Sequence, residues 1–150
     1  METTAISSAQ TAGEIAGILV ACGASQISTD YKDGKITGLR WLMNMRQVPT
    51  VYHLPVRAEA VFKVLNDRRS SAWDRKEKAD KDRDQAERVA WRQLYRWVQA
   101  QAAMIDTGMM EAAEVFLPYA DWGGRTLFEA LAESGMKTLP APREAAVAGQ

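Results

Sequence analysis

Between Ile27 and Leu54 the chain alternates apolar and polar residues with the period of two that a half-buried strand requires. Asp33-Gly34 interrupts the alternation, and both residues tolerate the positive φ of a two-residue hairpin turn. Ile27, Thr29 and Tyr31 lead into the turn. Ile36 to Met43 returns from it, with Leu39, Trp41 and Met43 on one face. Asn44 to Pro49 reads as a second turn. Thr50 to Leu54 reads as a third strand, closed by Pro55, which has no N–H to give a ladder. Connections this short join neighbouring strands antiparallel, which makes a meander. A small meander cannot bury its own apolar face, so helices must cover it.

The rest of the chain supplies those helices. Thr11 and Glu14 have the spacing of a capping box, followed by Ala12, Ile15, Ile18, Leu19 and Cys22 at helical intervals. Gly23 stands where a left-handed C-terminal cap belongs. Ala58 to Leu65 predicts a short helix with Val61, Val64 and Leu65 facing inward. Asn66 to Asp84 is dominated by charge; its first part predicts a loop and its second the solvated start of a long helix. From Ala86 to Ile105 the apolar period is near 3.6, and Trp91, Tyr95 and Trp97 widen the apolar side. That width predicts a subunit contact through Trp91, Tyr95 and Trp97, in a homodimer or higher oligomer. Thr107-Gly108 ends the pattern, Met109 to Leu117 forms a further short helix, and Thr126 and Glu129 cap a last one. The fold class is therefore α+β: an N-terminal helix, a three-stranded antiparallel meander, a long helix and short C-terminal helices. One domain spans 11–135, between a flexible stretch at 1–10 and a Pro-containing disordered tail at 136–150.

The 150 residues carry no formal net charge, but the charge is unevenly placed. From Lys35 to Arg69 it sums to +5, and from Asp106 to Gly135 to −5. Such poles steer a partner or attract each other within the fold. The single cysteine, Cys22, forms no intrachain disulfide, which suits a reducing compartment. No signal peptide and no apolar run near the roughly 20 residues of a membrane span is evident, so a cytoplasmic protein with no membrane partner is expected.

The parts for most chemistry are missing. With one histidine, His53, and one cysteine, a paired zinc set is impossible from those residue types, and no metal or cofactor is expected. Cys22 lies on the apolar stripe of its helix, where thiols are inert. Asp80, Asp82 and Asp84 begin like a calcium loop, but Gln85 replaces the required glycine and Trp91 the bidentate glutamate. They read as a solvated helix face. Gly123-Gly124-Arg125-Thr126 reads as a loop ending in a helix cap. No catalytic residue is assigned, and a non-enzymatic protein is expected. The binding candidates are Arg40, Arg46, Arg57, Arg68, Arg69 and Trp41, a basic sheet surface with one ring for stacking single-stranded nucleic acid. The alternative is a partner protein that the chain inhibits or redirects.

Two stretches carry a resemblance. The run AERVAWRQLYRWVQAQ from Ala86 to Gln101, and EVFLPY from Glu114 to Tyr119 followed by Gly124-Arg125-Thr126, resemble small proteins encoded in bacteriophage and prophage genomes. Asp33-Gly34 and Leu54-Pro55 complete the likeness, which covers most of residues 12 to 133. The resemblance implies a phage origin and an accessory role in the cytoplasm of an infected bacterium, and assigns no site residue; it suits the alternative partner, a host defence factor. The order of elements also resembles the core of single-strand annealing proteins, a likeness of fold alone.

Overall fold

A computed structural model describes residues 7–137 and Pro140. The expected tail at 136–150 and the first six residues of the expected N-terminal stretch lie almost wholly outside them. The chain is α+β, in the order α1 (Ser8–Ala21), β1 (Ser25–Lys32), β2 (Lys35–Met45), β3 (Val48–Pro55), α2 (Ala58–Asp67), α3 (Ala72–Glu77), α4 (Ala79–Asp106) and α5 (Ala112–Phe116). A single 3-10 turn, Leu117–Tyr119, then leads to β4 (Asp121–Trp122), β5 (Arg125–Thr126) and α6 (Leu127–Glu133).

The first helix starts earlier than the capping box predicted. Ser7 is the N-cap, its hydroxyl accepting from the Gln10 amide at 3.1 Å. Thr11 lies inside the helix and is buried, so it caps nothing. The helix ends as Gly23 allows, at φ +108°. There the Gly23 amide donates to the Val20 carbonyl and the Ala24 amide to the Leu19 carbonyl, both at 3.0 Å, a Schellman closure.

The meander runs β1-β2-β3, antiparallel throughout. Asp33 and Gly34 make the first turn at φ +53° and +78°. The second turn is tighter than the sequence suggests. Arg46 and Gln47 take φ +49° and +74°, so β2 and β3 run on to Met45 and Val48. Leu39, Trp41 and Met43 share the buried face with Tyr52 and Leu54 of β3. Trp41 stacks on Tyr52 with centroids 5.6 Å apart, and Phe116 meets Trp41 edge-on at 5.5 Å. Trp91 and Val98 of α4, with Ile15 and Leu19 of α1, complete this core.

Gly38 sets how closely β2 and β3 approach. A Cβ there would lie 2.9 Å from the Leu54 carbonyl oxygen, 3.2 Å from the Pro55 Cα and 3.3 Å from His53 Nε2. Two of these neighbours are backbone atoms, so the strands would have to part. Gly38→Ala is expected to cost about 1–3 kcal/mol in chemical denaturation. An unchanged midpoint would show that the strands yield freely.

The charged stretch is more helical than its composition suggests. α2 continues to Asp67, and only Arg68 to Ser71 separate it from α3. Val64 was expected to face inward, yet it is half exposed; Val61, Phe62 and Leu65 are the partly covered residues. α2 packs on α4, and Val64 lies off the side of the helix that is covered.

Candidate functional site

The predicted basic sheet surface is not a free surface. Arg40 Nε donates to both oxygens of Asp30, at 3.0 and 3.1 Å, and its Nη1 lies 3.7 Å from Asp121. Arg46 pairs with Glu111, and Arg57 with Glu129 at 3.3 Å. Lys35 pairs with Glu87 at 3.0 Å. The basic pole of the sequence thus meets the acidic pole inside one chain at three of its arginines. Trp41 is only 1% exposed and supports Tyr52 and Phe116, so no base can reach it. Trp41 is corrected accordingly, because burial claims the ring; Arg46 and Arg57 stay exposed beside their carboxylates.

The subunit candidates are corrected for the same reason. Trp91 is fully buried within the chain. Trp97 packs edge-on against Phe116 at 5.9 Å and Tyr119 at 5.6 Å. Tyr95 is half-buried, with the Arg92 guanidinium 4.5 Å above its ring. The apolar width of α4 is used by α1, α2 and, through Trp97, Phe116 and Tyr119.

His53 lies opposite Arg40 in the β2–β3 register, with Nε2 3.1 Å from Asp30. Burial first, then the Arg40 guanidinium, pulls its pKa below the usual 6.5; Asp30, Glu129 and Asp121 pull the other way and lose. Nδ1 is sealed from solvent with no partner among the described residues, so no substrate reaches it. A folded-state pKa below the unfolded one means that the folded chain binds fewer protons. Stability supplied by the neutral ring is present above pH 6.5 and declines as pH falls from there through the folded pKa. His53→Gln is expected to flatten the stability profile just below pH 6.5. An identical slope in both proteins would contradict this. Cys22 offers no alternative nucleophile, because burial, helped by Asp106, pushes its thiol up from its ordinary value.

Three cations that pair with no described carboxylate converge elsewhere. Asp82, assigned by its sequence pattern to a solvated face, is 3% exposed. Arg69 grips it through Nη2 at 2.6 Å and Nε at 3.2 Å, and Asn66 donates to it at 3.1 Å. These bonds, Arg69 first and Asn66 next, hold its carboxyl below the usual range. Arg69 is therefore a structural partner and not a free binding group. Around this pair lies a hollow of about 310 Å3, lined by Arg68, Arg69, Lys81, Asp82, Gln85 and Arg88. Arg68, Lys81 and Arg88 form no ion pair with a described residue; Arg88 donates only to Gln85, at 2.9 Å. Four cations against one carboxylate give the hollow a local excess of +3.

Of the predicted binding residues, only Arg68 and Arg69 come together, and they do so in the link between α2 and α3. Lys81, Gln85 and Arg88 escaped the sequence reading, although i, i+4 and i+7 place them on one helical stripe. Among the described residues no group of three or more His, Cys, Asp or Glu could hold a metal ion. No described helix is long and apolar enough to cross a membrane. Comparison with family models, curated proteins and solved structures finds no match to this chain.

Proposed function

We propose that the protein binds nucleic acid without transforming it, and that it grips the phosphate backbone at the hollow between α2 and α4. The observation that carries this reading is the contrast in pairing. Arg40, Arg46 and Arg57 already meet carboxylates, whereas Arg68, Lys81 and Arg88 face one hollow and form no ion pair with a described residue. Charge left unpaired at close quarters is what a phosphate neutralises. In support of the non-catalytic part, His53 Nδ1 is buried with no partner among the described residues, and burial pushes the Cys22 thiol up from its ordinary value. Binding of this kind suits the accessory role that the phage resemblance implies, and it rests on the hollow alone.

Anisotropy of a labelled oligonucleotide tests the proposal. Three neutralised phosphates give a log–log salt slope of about −2 to −3. Affinity should therefore fall about 20- to 40-fold between roughly 50 and 200 mM salt. No binding at the lower salt, or binding indifferent to salt, would contradict it.

A protein partner is the second reading, favoured by the face of the sheet that turns away from Trp41. Its charges are neutralised internally, and Val51, opposite Leu42, remains 43% exposed there. Loss of oligonucleotide binding at low salt would leave this reading standing.

A further inference from the structure

Five tryptophans are distributed very unequally between core and surface. Trp41 and Trp91 are buried and Trp97 is half-covered, but Trp73 is 72% exposed and Trp122 62%. An exposed indole carries no consequence unless it is held beside something that its face can serve. Trp73 is so held. It lies on α3, whose N-cap Ser71 accepts from the Asp74 amide at 3.1 Å. The Asn66 amide that bonds Asp82 also donates to the Arg75 carbonyl at 2.9 Å. Arg75 Nη1 in turn donates to the Arg69 carbonyl at 3.4 Å. The short helix is therefore fastened to the floor of the basic hollow by the same residues that build it. Trp73 follows Arg69 by four positions, so their Cα atoms are at most about 14 Å apart. The exposed side of α3 carries Trp73, Lys76 and Glu77, and these charges cancel. The ring offers a π-face and the hollow supplies the charge.

Trp122 has no such setting. Its neighbours in the β4–β5 hairpin are Asp121 and Arg125, and Arg125 is paired with Glu133. The charges around it are paired with one another, Asp121 with Arg40 and Arg125 with Glu133, and leave no free cation among these residues for a phosphate.

We infer that Trp73 is a base-stacking residue that makes the basic hollow select single strands over duplex. The inference rests on the nucleic-acid reading of the hollow. A duplex offers the hollow its phosphates but keeps its base faces stacked on one another. A single strand offers both phosphates and an unstacked base, and aromatic stacking tolerates any sequence because every base has a π-face.

The test is titration of the intact chain with a short thymidine strand, and separately with that strand annealed to its complement, at low salt. Tryptophan emission should be quenched by the single strand. Trp73→Ala should remove most of that quench and weaken single-strand binding about 5- to 100-fold, while duplex binding stays the same. Trp73 is exposed, so the variant folds. Trp122→Ala should leave both affinities unchanged. Salt-sensitive binding of equal strength in Trp73→Ala and the parent would overturn the stacking role while sparing the nucleic-acid reading. Transfer of the effect to Trp122→Ala would do the same. Absence of binding to either probe by the parent chain would overturn both.

Discussion

Trp41→Ala is expected to destabilise the chain by about 3–5 kcal/mol in chemical denaturation, and to leave no specific defect in binding. The indole is stacked on Tyr52, met edge-on by Phe116 and only 1% exposed. Removing it opens a cavity where sheet, α4 and α5 meet. A domain has only about 5–15 kcal/mol in hand, so the variant should unfold readily. The contrast with Trp73→Ala makes the point sharp. That change removes an exposed ring and should fall within about 0.5 kcal/mol of the parent. If Trp41→Ala kept the parent's stability and lost only ligand binding, the ring would be a surface group, and the core described above would be wrong.

The second large effect concerns charge. Arg68→Glu, Lys81→Glu and Arg88→Glu combined should weaken oligonucleotide binding by at least about 100-fold at roughly 50 mM salt, because attraction becomes repulsion at three phosphate contacts. A modest loss of stability should accompany it, because the new carboxylates would face the buried Asp82, although none of the three replaced residues makes an ion pair with a described residue. Arg69 is left in place deliberately. Replacing it would strand Asp82 as a buried, unpaired carboxylate and confound binding with unfolding. Arg46→Gln with Arg57→Gln is the matching control on the sheet side. These side chains are engaged by Glu111 and Glu129, so the control should bind within about twofold of the parent. The reverse order of effects, measured by anisotropy, would return the binding surface to the sheet.

Most of the fold was legible because its signals are local. The two-residue period, the Asp33-Gly34 turn, the Gly23 cap and the Thr126–Glu129 capping box each act over a few residues, and each is found where it was expected. The second turn was placed too wide because Arg46-Gln47 lacks the Asn or Gly that usually marks positive φ. Ser7 took the cap from Thr11 because burial of Thr11 against the core outweighs its capping geometry. The site was less legible for a physical reason. Whether an arginine is free depends on which carboxylate the fold brings to it from far along the chain. Arg46 and Glu111 are 65 residues apart, and Arg57 and Glu129 are 72 apart. Composition does show the two poles, yet only the tertiary arrangement shows that they meet each other. The local clues to the hollow are the adjacent Arg68 and Arg69 and the stripe Lys81, Gln85 and Arg88, the latter concealed by a mixed-sign run.

The central claim is one of location: a nucleic-acid ligand contacts the helical corner and not the sheet. Backbone amide shifts, followed as a thymidine strand is added at low salt, test it most directly. The account predicts shifts concentrated between Asn66 and Arg88, with the β2 and β3 amides around Arg40, Arg46 and His53 undisturbed. Shifts centred on those strands, with the Arg68 to Arg88 amides unmoved, would contradict it.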